Sequence, residues 1–223
     1  MADLKRSEQI KIEFYDVCAG WLHMRLCVDD EIVEMRTTYC LGDGFRALLR
    51  AAYYLHPDAF DGPFGNSGDF AEQKEIEVFE DGEKTTVEVP YKVEFDWNEE
   101  GSWVDWTLEH EPTLDREFDL KIELEIHRAD VDRDEVRVQK KEFVVSYKAF
   151  CYALAKACTE MLKKQGICGF RESYWDGDIN LRYLLFIKAI ALDCPEMIKT
   201  KYNDRDELCS NLEKEIKLLL TDM

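Results

Sequence analysis

Hydrophobic residues along this chain follow two periods, and the change between them divides it. From Ile10 the apolar positions recur every second residue: Ile10, Ile12 and Phe14 alternate with charged neighbours, then Leu22, Met24, Leu26 and Val28 with His23, Arg25 and Cys27. Such alternation turns one face of a strand inward and leaves the other wet. Asp29-Asp30 supplies a turn into a third strand through Ile32 and Val33, so this part reads as a β-meander. After Gly42-Asp43-Gly44 the period lengthens. Phe45, Leu48, Leu49, Ala52 and Leu55 share one helical face, Asp43 offers an N-cap, and Pro57 ends the run.

Segment 56–70 is rich in Gly, Pro and Asp and reads as a long loop. The two-residue period then returns. Ile76 and Val78 precede a turn at Asp81-Gly82, Val87 and Val89 follow, then Val93, Phe95 and Trp97. A turn at Glu99-Glu100-Gly101 leads to a strand carrying Trp103 and Trp106. Phe118, Leu120, Ile122, Leu124 and Ile126 alternate strictly with charged residues, and a charged turn over 130–135 leads to a last strand around Val136 and Val138.

The remainder has helical spacing. Tyr147, Phe150, Cys151, Leu154, Cys158, Met161 and Leu162 form one stripe that Gly166 is expected to stop. After an aromatic loop, Asp178 is expected to cap a buried helix from Ile179 to Leu192. Asn203 is expected to cap a final amphipathic helix bearing Leu208, Leu212, Ile216 and Leu219. Strands first and helices last, without a βαβ rhythm, predict an α+β fold with an antiparallel sheet of about seven to eight strands. One helix follows the third strand and a group of three helices ends the chain. The expected organisation is one domain over 1–223, strand-rich in 1–145 and helical in 146–223.

Charge sharpens this picture. The 223 residues carry Lys+Arg 29 against Asp+Glu 48, a formal net charge of −19. That balance opposes direct binding to nucleic acid and to anionic membranes. It favours a basic protein partner or serves solubility alone. The excess is local: residues 69–125 hold 20 acidic and 5 basic side chains, whereas 146–223 hold 12 of each. Because the apolar residues of these strands face the core, Glu75, Glu77, Glu94, Asp96, Glu117, Asp119, Glu123 and Glu125 are expected outside. If their strands are neighbours they form one acidic wall. Like charges directly opposite on a sheet are destabilising, so a wall of one sign suggests a compensating use. Trp97 shares the parity of Val93 and Phe95 and belongs to the core. Trp103 and Trp106 differ in parity, so either one points outward or the strand bulges.

Specific chemistries find little support. The eight cysteines include no C-x-x-C pair, and the four histidines lack metal-ligand spacing. Asp130-x-Asp132-x-Asp134 begins like a calcium loop, but Glu135 stands where Gly must allow the sharp turn. Pro57-Asp58 followed by Glu72-Gln73-Lys74 has the residue types of a metal-dependent nuclease, yet its first half lies in a loop on a chain that repels nucleic acid. No nucleophile elbow or phosphate-binding glycine loop occurs. No metal, cofactor or catalytic residue is therefore predicted. The N-terminus lacks a signal-like apolar run, and no stretch approaches the roughly 18 apolar residues of a membrane span. The expected setting is the cytosol with reduced thiols, Cys151 and Cys158 acting as small hydrophobes.

Gly20-Trp21, TTYCLGDGFRALLRAA (37–52), GSWVDWTLE (101–109) and GFRESYWDGDINLRYLLFIKAI (169–190) together resemble a loose group of uncharacterised bacterial immunity-like proteins. Asp178-Ile179-Asn180 stands where that group more usually has an aromatic residue and a proline. The resemblance implies a fold and an inhibitor or immunity role, and assigns no residue a function. The leading expectation is a non-catalytic protein-binding factor that presents Glu94, Asp96, Trp103, Asp105, Glu123 and Glu125 to a basic partner. The alternatives are an enzyme with a site under loops 56–70 and 166–178, and a scaffold or assembly subunit.

Overall fold

Alternation and helical spacing become ten strands and four helices in a computed structural model that describes residues 5–41, 43–59, 70–80, 83–130, 135–175, 177–202 and 208–223. The expected loop tip 60–69, turns 81–82 and 131–134, and Asn203 lie outside these residues.

β1 (Ile10–Cys18), β2 (Trp21–Val28) and β3 (Glu31–Thr38) form the expected meander, with β2 central. Met24 lies opposite Phe14 and Met35, and Leu26 opposite Ile12 and Val33, which gathers the apolar residues on one face. A bulge between Phe14 and Asp16 turns Tyr15 outward and returns Val17 to the core. Helix α1 (Gly44–Tyr54) follows, capped as expected by Asp43, whose carboxylate accepts from Arg46 N at 3.1 Å.

β4 (Glu72–Glu80), β5 (Glu83–Glu99), β6 (Ser102–Glu109), β7 (Asp119–Asp130) and β8 (Glu135–Ser146) form a second antiparallel sheet in sequence order. Two sheets thus replace the one expected. The physical reason lies in how they meet. β3 runs across the strands of the larger sheet instead of pairing with one: Arg36 reaches Glu99 on β5, the Glu34 carbonyl accepts from Arg128 on β7 at 2.7 Å, and Glu31 pairs with Lys141 on β8 at 2.5 Å. This is the crosswise arrangement of two packed sheets. Val87, Val89, Val93, Phe95 and Trp97 all belong to one 17-residue strand. Its proline, Pro90, sits where β4 is the neighbour and a bulge interrupts the ladder: Gln73 pairs with Pro90 but Glu72 with Lys92.

Helix α2 (Tyr147–Ser173) packs on β1 and against α3 (Leu181–Ala191), which touches α1. Gly166 does not end α2. It takes φ 72° and kinks the helix, and helical geometry resumes to Ser173. The cap of α3 is Asn180, accepting from Tyr183 N at 3.2 Å, instead of Asp178. A short ribbon, β9 (Lys201–Tyr202) with β10 (Leu208–Cys209), takes up Leu208, so α4 (Leu212–Leu220) begins at Asn211. These helix starts differ from the expected ones because several Asp and Asn residues precede each apolar run, and only tertiary contacts choose among them.

Candidate functional site

The outward face of β5–β8 follows from register. Asp96 lies opposite Asp105, Asp105 opposite Glu125, and Glu125 opposite Lys140. One row along are Glu94, Thr107, Glu123 and Glu142; on the other side are Asn98, Trp103, His127 and Val138. The alternate positions Trp97, Val104, Trp106, Leu108, Ile122 and Leu124 are buried. Glu94, Asp96, Trp103, Asp105, Glu123 and Glu125 therefore stand together on one face. β6 carries no bulge, so the parity of its tryptophans resolves simply: Trp106 points inward and Trp103 outward.

Two features of the expected wall are corrected. The bulge opposite Glu72–Gln73 interrupts the alternation, so Glu75 and Glu77 belong to a separate two-strand arm. The face itself is not of one sign. Lys92 bonds Glu72 at 2.9 Å and Glu94 at 2.6 Å, Lys121 bonds Glu123, and Lys140 bonds Glu125 at 2.5 Å. These contacts raise the lysine pKa values, and Lys140 lowers that of Glu125. Sheet physics asks for such lysines, since unrelieved like charges across a ladder oppose pairing. What remains unneutralised is narrower: among the described residues Asp96 has no ion-pair partner, and it lies directly opposite Asp105.

Beside this pair stands an aromatic anchor. Trp103 and His127 stack with ring centroids 4.3 Å apart, and Trp103 Nε1 donates to Asp105 Oδ2 at 3.1 Å. His127 Nε2 lies 3.0 Å from the same oxygen, within ion-pair reach but not aligned as a hydrogen bond. Val136 and Val138 continue the patch along β8, 49% and 51% exposed. Carboxylates, a stacked indole and half-exposed valines thus lie side by side on this face. Nothing in their local sequence marks His127 and Lys140 as members of this face. Counting pairs through consecutive hairpins would have placed both.

Glu99, three residues beyond Asp96, has a different position. Its side chain is 3% exposed, and it accepts from Arg36 N at 3.2 Å, Arg36 Nε at 3.3 Å and Arg128 Nη1. It joins the two sheets and is sequestered from any partner.

Most of the segments that carry the family resemblance also converge. Gly20 N donates to Ser173 O at 3.0 Å beneath the Trp175 ring, where an added Cβ would approach within 2.7 Å. Tyr174 OH donates to Asp43 Oδ1 at 3.3 Å, and Gly44 N to Thr37 Oγ1 at 3.2 Å beside Trp97. Burial raises the Asp43 pKa. Ala19, Asp43 and Trp175 all take positive φ here. Tight turns locked by aromatic rings join sheet, α1 and α2, and account for these motifs as architecture.

The enzyme alternative points to the ends of two loops. His56 is fully buried, its Nδ1 accepts from Asp58 N at 3.1 Å, and its Nε2 has no hydrogen-bond partner among the described residues. Burial pushes its pKa down to about 4. His110 is also buried, facing the carbonyls of Glu111 and Leu55. Neither ring opens to solvent. A surface depression of about 710 Å³ lies elsewhere, lined by Arg6, Lys11, Asp29, Lys148 and Tyr152 among others, and none of the six outward residues borders it. Among the described residues no group of three His, Cys, Asp or Glu side chains could hold a metal ion. None of the eight cysteines forms a disulfide, and burial raises Cys151 to about 12. No described helix is long and apolar enough to cross a membrane. Comparison of the chain with protein-family models, curated proteins and solved structures returns no match.

Proposed function

We propose that this chain is a non-catalytic protein-binding factor, of inhibitor or immunity-like type, that receives a basic protein on the outward face of β5–β8. The observation that carries this reading is Asp96, without an ion-pair partner among the described residues and directly opposite Asp105, next to the stacked Trp103–His127 anchor that Asp105 holds. Opposed carboxylates cost the sheet stability that a cation from outside would return. An indole beside them supplies the apolar contact that dominates binding energy in protein interfaces. Glu94, Glu123 and Glu125, each already holding a lysine, act as a rim that steers association. The test compares wild type with Asp96→Lys/Asp105→Lys as baits for basic proteins of the host at low and high salt. Wild type should retain a basic protein at low salt that the variant does not; equal retention overturns the proposal.

A second reading has one observation in its favour. The unpartnered Nε2 of His56 beside the start of the 56–70 loop is a costly feature of the kind found at catalytic sites. Its complete burial and depressed pKa fit a neutral core histidine better. Urea unfolding of His56→Gln across pH separates the two: a core histidine predicts a flattened stability–pH curve, and an unchanged curve favours the second reading.

A further inference from the structure

We infer that the basic partner also contributes a strand: the outer edge of β4 accepts an extended segment in which basic and apolar side chains alternate. This rests on the reading of the chain as a receptor for a basic protein. Among the described residues β4 pairs only with β5, and in β5 the stretch 83–89 has β4 as its sole strand neighbour. The two strands project as an arm past the end of β6. Two-stranded ribbons are marginal on their own, and an open edge is a template for a further strand.

The arm's two sides differ in a way that specifies the occupant. On one side Ile76 lies opposite Val87 and Val78 opposite Thr85, all half-buried. On the other stand Glu75 opposite Glu88, Glu77 opposite Thr86, and Phe79, which is 75% exposed. Lys84 pairs with Glu77 at 2.5 Å, and Glu75 on the same side has no ion-pair partner among the described residues. A strand laid beside β4 would place alternate residues on these two sides. Lysine or arginine would meet Glu75 and Glu77, and valine or isoleucine would extend the layer of Ile76 and Val78. Main-chain bonds would supply affinity and the alternation specificity, as in other strand-addition complexes.

The opposite edge of the sheet does not offer this. β8 carries Arg137, Lys140 and Lys141, and the N-terminal segment already bonds it, Ser7 N donating to Val144 O at 2.7 Å. Lysines on an edge strand are a common guard against added strands.

The probe is a short peptide alternating lysine and valine, set against a block peptide of the same composition with all lysines first. Wild type should bind the alternating peptide about tenfold more tightly than the block peptide, a difference of about 1.4 kcal/mol. Amide exchange should slow along β4. Ile76→Lys, which sets a like charge on the apolar side, and Glu75→Lys/Glu77→Lys, which reverses the other, should each remove the preference, with circular dichroism confirming the fold. Equal affinity for the two peptides, or protection confined to β6 and β7, overturns strand addition. Those results leave the Asp96–Asp105 face standing, because that proposal is read separately from the retention of a basic protein by Asp96→Lys/Asp105→Lys.

Discussion

Glu99 and Asp96 lie three residues apart on one strand and do opposite things. Glu99 is sealed between Arg36 and Arg128 where the two sheets cross. Asp96 stands on the open face with another carboxylate opposite it. Acid content alone separates nothing: one carboxylate holds the fold together and the other burdens it slightly. On an acidic protein the charge available for function is the charge left uncompensated, since compensated charge already has a structural use.

The largest effect expected from breaking this contrast is at the junction. Glu99→Ala removes the partner of both arginines. Because Arg36 and Arg128 can still reach water, the loss should fall near the lower end for a buried pair, about 3 kcal/mol in urea unfolding. A similar change is expected from acid. His56 has its pKa lowered from 6.5 to about 4 by burial, so the unfolded chain binds the extra proton first. Its contribution is fully present above pH 6.5 and is lost as pH falls toward 4, about 3 kcal/mol in all. His56→Gln should flatten that part of the stability–pH curve. Gly20→Ala meets both a φ of 81° and the Trp175 ring, and should cost about 2 kcal/mol. In a Trp175→Ala background the steric share should disappear and leave about 1 kcal/mol of backbone strain. The smallest effect is on the open face. Asp96→Asn should leave stability unchanged or raise it by less than about 1 kcal/mol, since it relieves like charges across the ladder.

Much of this contrast was legible in residue order. The alternation of Leu120, Ile122 and Leu124 with Lys121, Glu123 and Glu125 fixed which side chains face out, and the six predicted residues do share a face. The Asp43 cap and the buried Trp97 were equally readable. Glu99 was not, because its neutralising arginines come from β3 and β7, far away in sequence, and no local pattern marks a carboxylate as buried. The lysines that quiet most of the wall were hidden for the same reason: Lys140 meets Glu125 only once β8 is known to lie beside β7. The division into two sheets depends on β3 crossing the strands of the second, a geometry set by side chains at Arg36, Glu34 and Glu31 that periodicity does not encode.

The proposed role of Asp96 and Asp105 is to receive a basic partner, Asp105 also holding Trp103 in place. Its most direct test is the salt-dependent affinity for the basic host protein retained at low salt, measured for wild type, Asp96→Lys/Asp105→Lys and Glu213→Lys on the exposed side of α4. The face variant should keep its unfolding midpoint and lose binding by more than about a hundredfold at low salt, while Glu213→Lys binds like wild type. Equal weakening by the two variants would reduce the effect to net charge and contradict the claim.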